Sequence, residues 1–230
     1  MSHPSGRPWI AAHRGASVLE RENTVAAFGR AVEVGADAVE MDARRTRDGE
    51  IVVHHDATLD GEPLIALSRA EVALRAPWIP DLAEAIAACW PAWVDLEIKN
   101  SPHDPDWDPD DTVLAAATPL IDKRIVVTSY NPMTVARAHA AGMRCGMLLG
   151  WGNDPDAALA AWPGYEFVLP SKDMVPPASA QHLVNAARAA GAGVGIWTID
   201  DPETMRAYAT AGVDVVFTNV PEVAVTALAG

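Results

Sequence analysis

Short apolar runs alternate with Ala-rich stretches of helical period along nearly the whole chain. The apolar runs centre on Trp9–His13, Ala38–Asp42, Val94–Lys99, Ile125–Ser129, Arg144–Leu149, Phe167–Pro170, Val194–Thr198 and Asp214–Thr218. Bounded by turn formers and rich in Val and Ile, they read as strands covered on both faces. Helical patterns lie between them at Thr24–Val34, Asp81–Trp90, Pro132–Ala141, Ala178–Ala190 and Pro202–Ala211, and several stop at a glycine: Gly35, Gly142, Gly191 and Gly212. Eight β-then-α units predict an α/β fold, a single (β/α)8 TIM barrel over residues 1–230. An open doubly wound sheet fits less well, since no GxGxxG follows the first strand.

One strand falls outside the series. Ile51–His55 follows Ala38–Thr46 across Asp48-Gly49, a strong hairpin signal. A parallel neighbour would need a crossover of a dozen or more residues. Ile51–His55 is therefore expected as an antiparallel return above the barrel mouth, forming a short β-hairpin and small insertion after strand 2. A two-residue loop flanked by Arg47 and Glu50 would set Asp42 opposite His55 on one face, with His54 pointing away.

Polar residues gather where these strands end, the end at which barrel enzymes build their sites. His13 and Arg14 end the first strand, while Glu40 and Asp42 end the second with Val39 and Met41 alternating outward. Asp95, Glu97 and Lys99 alternate with apolar residues on the third, and Trp197 closes the seventh. Glu40, Asp42 and Glu97 converging on one point would repel unless a cation sat among them, and hard carboxylate oxygens suit Mg2+ or Ca2+. His13 and His55 project beside that cluster, and two imidazoles can share the proton transfers of phosphodiester hydrolysis near neutral pH. Arg14 and Lys99 could hold phosphoryl oxygens, and Lys99 is one of only three lysines in the chain.

Charge narrows the partners. With 17 Lys and Arg against 31 Asp and Glu, the formal net charge is -14. Such a chain does not suit nucleic acid or stable association with an anionic membrane, so a phosphodiester must meet its positive charge locally. Cys89 and Cys145 lack CxxC spacing, and no long apolar run or leader-like segment occurs. A soluble, cytoplasmic protein is expected, and a homo-oligomer is compatible with it. The acidic stretch Asp104–Asp111 lacks the Gly and Glu of an EF-hand loop. It reads as a solvated loop in which Trp107, set among acids, could meet a cationic alcohol.

The motifs together resemble the glycerophosphodiester phosphodiesterase family. They run through His13-Arg14-Gly15-Ala16, Glu22-Asn23-Thr24, Glu40-Met41-Asp42, Thr46-Arg47-Asp48-Gly49, His54-His55-Asp56, Leu96-Glu97-Ile98-Lys99, Ile196-Trp197-Thr198-Ile199 and Thr218-Asn219-Val220-Pro221. The resemblance implies a (β/α)8 barrel that hydrolyses glycerophosphodiesters to sn-glycerol 3-phosphate and an alcohol. It implies a divalent cation on Glu40, Asp42 and Glu97, His13 and His55 as the acid–base pair, Arg14 and Lys99 as phosphate ligands, and Trp197 as an apolar wall. Glu22 and Asn23 would brace the first loop. The chain departs from the pattern at Arg21, where Pro is common, at Asn219, where Asp is common, and in a shortened segment between Asp56 and Trp93. Two other readings compete: a lysophospholipase D-like enzyme acting on lipids, and a catalytically silent barrel that binds a phosphorylated ligand.

Overall fold

The computed structural model describes residues 3–150 and 152–229. Strands Trp9–Ala12 (β1) and Ala38–Arg45 (β2) are followed by three short strands outside the barrel, Ile51–Val53 (β3), Thr58–Leu59 (β4) and Glu62–Pro63 (β5). The series resumes with Trp93–Ile98 (β6), Ile125–Ser129 (β7), Cys145–Leu149 (β8), Phe167–Pro170 (β9), Gly193–Ile196 (β10) and Val215–Thr218 (β11). Leaving β3–β5 aside, each strand pairs in parallel with the next, and β11 returns to β1, which also pairs with β2. The ring is closed, so the (β/α)8 expectation holds.

Helices cover the outside: Val25–Glu33 (α1), Arg69–Arg75 (α2), Leu82–Ala88 (α3), Thr112–Ala117 (α4), Pro132–Ala140 (α5), Pro155–Ala160 (α6), Pro177–Ala189 (α7), Pro202–Thr210 (α8) and Pro221–Ala227 (α9). The short α4, α6 and α9 complete the eight expected β-then-α units, while α2 belongs to the insertion after β3. α1 illustrates the construction. The Thr24 hydroxyl caps it by accepting from the Ala27 amide, and Ala27, Phe28 and Ala31 form its buried stripe. Phe28 and Ala31 of that stripe join one core cluster with Val39, Met41 and Ala43, the outward positions of β2. Truncating Phe28 to alanine would cost roughly 3–5 kcal/mol.

Inside the ring, Ala11, Leu148, Phe167, Leu169, Val215 and Phe217 form a separate cluster. Small residues make room for the large ones. A Cβ on Gly195 would lie 2.6 Å from Leu169 and 2.9 Å from Phe217. The segment after β3 has its own small core of Val52, Leu59, Leu64, Leu67, Val72, Ala76 and Ile79. That core stabilises the shortened insertion without help from the barrel interior. No helix among the described residues is long and apolar enough to cross a membrane.

The hairpin register differs from expectation by one residue. Ala43 faces Val53, Arg44 faces Val52 and Arg45 faces Ile51. The loop thus has three residues, Arg47 to Gly49, closed by the Thr46 amide donating to the Glu50 carbonyl at 2.9 Å. Gly49 takes φ +85, the left-handed conformation that such a loop requires at its last position. The Asp48 carboxylate accepts from the Thr46 hydroxyl at 2.6 Å and from the Arg69 amide at 3.0 Å, tying the turn to α2. Asp42 consequently lies against His54, whose amide donates to the Asp42 carbonyl at 2.9 Å.

Candidate active site

The β2–β6 register sets Asp42 beside Glu97 and Glu40 beside Asp95. All four side chains point into the barrel, because the alternate positions of each strand are apolar and covered by helices. Each is at least nine-tenths buried, and ligand oxygens of Glu40, Asp42 and Glu97 lie within 4.8 Å of one another.

The first loop is shaped to reach them. Arg14 has φ +58, which costs a side chain with a Cβ roughly 1–2 kcal/mol, and its amide donates to Glu40 at 2.7 Å. Gly15 follows at φ +82, and a Cβ there would stand 2.7 Å from the Ala27 backbone. Only glycine fits so close to α1. Asn23, also left-handed at φ +55, donates to Asp42 Oδ2 at 2.7 Å. Asn23 thus touches the acid cluster as well as bracing the loop. Glu22 holds the Arg14 guanidinium at 3.1 Å.

Two cations serve this cluster. The Lys99 ammonium contacts Asp42 at 2.9 Å and Glu97 at 2.8 Å, and Arg14 Nε lies 3.5 Å from Asp42. Burial alone would raise Asp42, but Lys99, His55, Arg14 and the Asn23 donor together hold its carboxyl far below the usual range. Glu40 goes the other way. Burial and then the charges of Asp42, Glu97 and Asp95 push it well up. Burial also raises Glu97, and Lys99 offsets this only in part. Fully ionised, the cluster would hold more negative charge than its two cations balance, and this repulsion adds to burial in raising Glu40. A convergent, all-oxygen, over-negative set is the chemistry a hard divalent cation requires, and Glu40, Asp42 and Glu97 could hold one.

Both histidines named from the sequence line the same cavity, of about 210 Å3, with Arg14, Glu40, Glu97, Lys99 and Trp197. His13 Nδ1 lies 2.8 Å from the Asn219 amide oxygen, and His55 Nδ1 lies 2.8 Å from Asp56. Burial lowers the pKa of both imidazoles below the ordinary value. His55 does not arrive by the expected strand alternation. β3 stops at Val53, and the following bend carries His55 into the cavity while His54 faces the Thr58 backbone. Trp197 donates its indole N–H to the Leu169 carbonyl at 2.8 Å and meets Tyr130 edge-on at 5.9 Å.

Arg44 went unnoticed in the sequence, although it shares the inward parity of Glu40 and Asp42. Buried, it gives Nη1 to both Asp106 oxygens at 2.7 Å, Nη2 to Asp104 at 3.0 Å and Nε to the His55 carbonyl at 2.8 Å. This corrects the reading of Asp104–Asp111 as a solvated loop. Asp106, Asp108 and Asp111 are buried. Asp108 accepts from the Thr112 amide at 2.6 Å, and Asp111 accepts from Asn100 at 3.0 Å and Arg137 at 3.3 Å. Trp107 is 45% exposed and lines neither of the cavities at this end. With Arg44 drawing its neighbours inward, the indole is left outside. The second cavity, of about 290 Å3, lies between this loop and the first. It shares His55, Glu97, Lys99 and Tyr130 with the first, and adds Asp56, Ser101 and Asp104.

Known proteins of the same kind are readily found. A "Glycerophosphodiester phosphodiesterase" of Caldanaerobacter subterraneus is 27% identical over 240 aligned positions, covering 93% of this chain and 94% of its own. Among solved structures, an Oleispira antarctica phosphodiesterase in complex with the product sn-glycerol-3-phosphate superposes with a TM-score of 0.82 at 21% identity, with 100% of both chains covered. A glycerophosphodiester phosphodiesterase from Parabacteroides distasonis gives 0.81 at 21% identity, covering 96% of this chain and 97% of that one. The profile of the Glycerophosphoryl diester phosphodiesterase family matches residues 13–223, from the histidine that ends β1 into α9, and the chain belongs to that family of phosphodiester hydrolases.

Proposed function

We propose that the protein hydrolyses glycerophosphodiesters, the deacylated forms of phospholipids, to sn-glycerol 3-phosphate and an alcohol. One observation carries the reading: two imidazoles, two cationic side chains and the carboxylates of Glu40 and Glu97 border a single cavity, and Asp42 converges with those two carboxylates within 4.8 Å. A silent ligand-binding barrel has no chemical use for all of these together. The Oleispira relative, with sn-glycerol 3-phosphate bound on the same fold, supports the choice of product.

Glu40, Asp42 and Glu97 would hold one divalent cation, Mg2+ or Ca2+, which when bound lowers the pKa of a hydroxyl and neutralises phosphoryl charge. Arg14 and Lys99 orient the phosphoryl oxygens, and Trp197 supplies an apolar wall for the glycerol carbons. The glycerol 2-hydroxyl stands next to the phosphorus and has a high effective concentration for attack. His13 and His55 divide the protons. One removes the proton of that hydroxyl as its oxygen bonds to phosphorus, and the other protonates the departing alkoxide. Water then opens the cyclic phosphate with the two roles exchanged.

The leaving alcohol falls to the second cavity, where Asp56 and Asp104 favour a cationic group such as choline or ethanolamine. Exposed Val18 and Leu19 on the first loop favour, as a second reading, a substrate that keeps an acyl chain. The free, buried Cys89 and Cys145 accord with a reducing, cytoplasmic setting.

The test is a panel of glycerophosphocholine, glycerophosphoethanolamine, glycerophosphoglycerol and a lysophospholipid, each with Mg2+, Ca2+ or a chelator. Release of glycerol 3-phosphate from the deacylated diesters, abolished by chelation, is expected. Turnover confined to the lysolipid, or undiminished by chelation, would refute the reading.

A further inference from the structure

We propose that Asn219, braced by Asp200, is a positioning residue that fixes the tautomer of His13, so that Nδ1 carries the proton and Nε2 offers its lone pair to the reaction. The inference rests on the proposed role of His13 in proton transfer.

The contact between His13 Nδ1 and Asn219 Oδ1 is 2.8 Å long. A carboxamide oxygen has no hydrogen, so the proton in that bond belongs to the imidazole. The amide cannot be turned over to reverse this. Its Nδ2 donates to Asp200 Oδ2 at 2.8 Å, and a flipped amide would set oxygen against carboxylate. Asp200 is itself held in place. Its Oδ1 accepts from the Asn219 backbone amide at 2.8 Å and from the Thr218 hydroxyl at 3.0 Å.

The chain of bonds joins the ends of three adjacent strands. Asp200 follows β10, Asn219 follows β11 and His13 follows β1, with the His13 amide donating to the Thr218 carbonyl at 2.9 Å. Each member is thus set by barrel closure, and the order of donors and acceptors runs one way from imidazole to carboxylate. Isolated imidazole holds its proton on either nitrogen, so an unbraced His13 would divide between a useful form and one whose Nε2 is already protonated. The neutral amide selects the useful form without adding a charge beside the phosphate.

The experiment is long-range 1H–15N spectroscopy of the full-length protein labelled at histidine, at a pH above the imidazole titration, together with steady-state kinetics. In the unmodified protein His13 should show a protonated Nδ1 and a bare Nε2. Asn219→Leu should shift it towards the Nε2–H form and lower kcat roughly 10- to 100-fold, with KM changed by no more than about twofold. Asp200→Asn, which frees the amide to flip, should move the tautomer in the same direction and decides the matter should Asn219→Leu not fold. Combining Asn219→Asp with Asp200→Asn restores an acceptor facing His13 and should return the Nδ1–H form and most of the rate.

A His13 protonated at Nε2 in the unmodified protein overturns the proposal. So does a fall in kcat with the tautomer unmoved, which would make Asn219 merely structural. A tautomer shift without a kinetic change overturns it equally. The spectra need no substrate, so an enzyme inactive on glycerophosphodiesters would refute the functional reading while leaving the tautomer measurement intact.

Discussion

The Lys99 ammonium lies 2.9 Å from Asp42 Oδ1, across the strand pair that also sets Glu97 beside Asp42. Burial would normally drive a proton off a lysine, but Glu97 and Asp42 overcome that and raise Lys99 above its ordinary value. A divalent cation on Glu40, Asp42 and Glu97 must share two of its three carboxylates with this ammonium. Lys99→Met should therefore bind Mg2+ or Ca2+ more tightly, by roughly tenfold, since a unit charge a few Å away is worth several kcal/mol before relaxation. On the proposed role of Lys99 as a phosphate ligand, the same variant should lose at least about 100-fold in kcat/KM. Isothermal titration in parallel with kinetics checks both. Weaker cation binding would mean that Lys99 organises the carboxylates and does not compete for them.

His55 and His54 are adjacent in sequence but differ in surroundings. His55 lines both cavities with its Nδ1 on Asp56, whereas His54 lines neither. His55→Ala should cost at least about 100-fold in kcat, the usual scale of acid–base catalysis. His54→Ala should stay within a few-fold of the parent. Reversal of that order in a simple rate comparison would show that the bend after Val53 has been misread.

Attack by the glycerol 2-hydroxyl has a direct chemical test. An analogue of glycerophosphocholine lacking that hydroxyl should be cleaved at least about 1,000-fold more slowly, since the effective concentration of the internal nucleophile disappears. A trapped or chromatographically resolved cyclic phosphate in the normal reaction would agree. Equal rates for analogue and parent would point to direct attack by water.

Asp95 links the site to stability. Burial pushes its carboxyl up to about 7, with Glu97 and Asp42 adding to the rise and the Thr128 hydroxyl opposing it. The folded value lies above the unfolded one, near 3.9, so the folded state binds the proton more tightly. The stabilising contribution is complete below about pH 3.9 and is lost progressively as pH rises towards 7. Asp95→Asn keeps an acceptor for Thr128, whose hydroxyl donates to Asp95 at 2.6 Å. In chelator, its advantage over the parent in unfolding free energy should grow between about pH 4 and 7 and then level off, reaching at most about 4 kcal/mol, as denaturant melts at each pH would show. A constant difference across that range would mean Asp95 titrates as an exposed acid does.

The chain by itself determined the layout that brings these groups near one another. On β2 the alternation Val39, Glu40, Met41, Asp42 is a local pattern, and so is that of Leu96, Glu97 and Ile98 on β6. Period two forces both sets of acids to the inner face once the apolar set meets helices. The hairpin, by contrast, turned on a single residue, Arg47, whose inclusion in the loop moved every pairing by one. Turn formers mark where such a loop falls more clearly than how long it is. The long-range contacts left no local trace at all. Asp106 looked like a solvated acid because nothing near it in the sequence reveals Arg44, and Asn219 reaches His13 across 206 residues. Such pairs come into existence only when the ring closes and sets their strand ends side by side. Removed from water there, a charge or an amide must find a partner, and tertiary structure alone decides which one it finds.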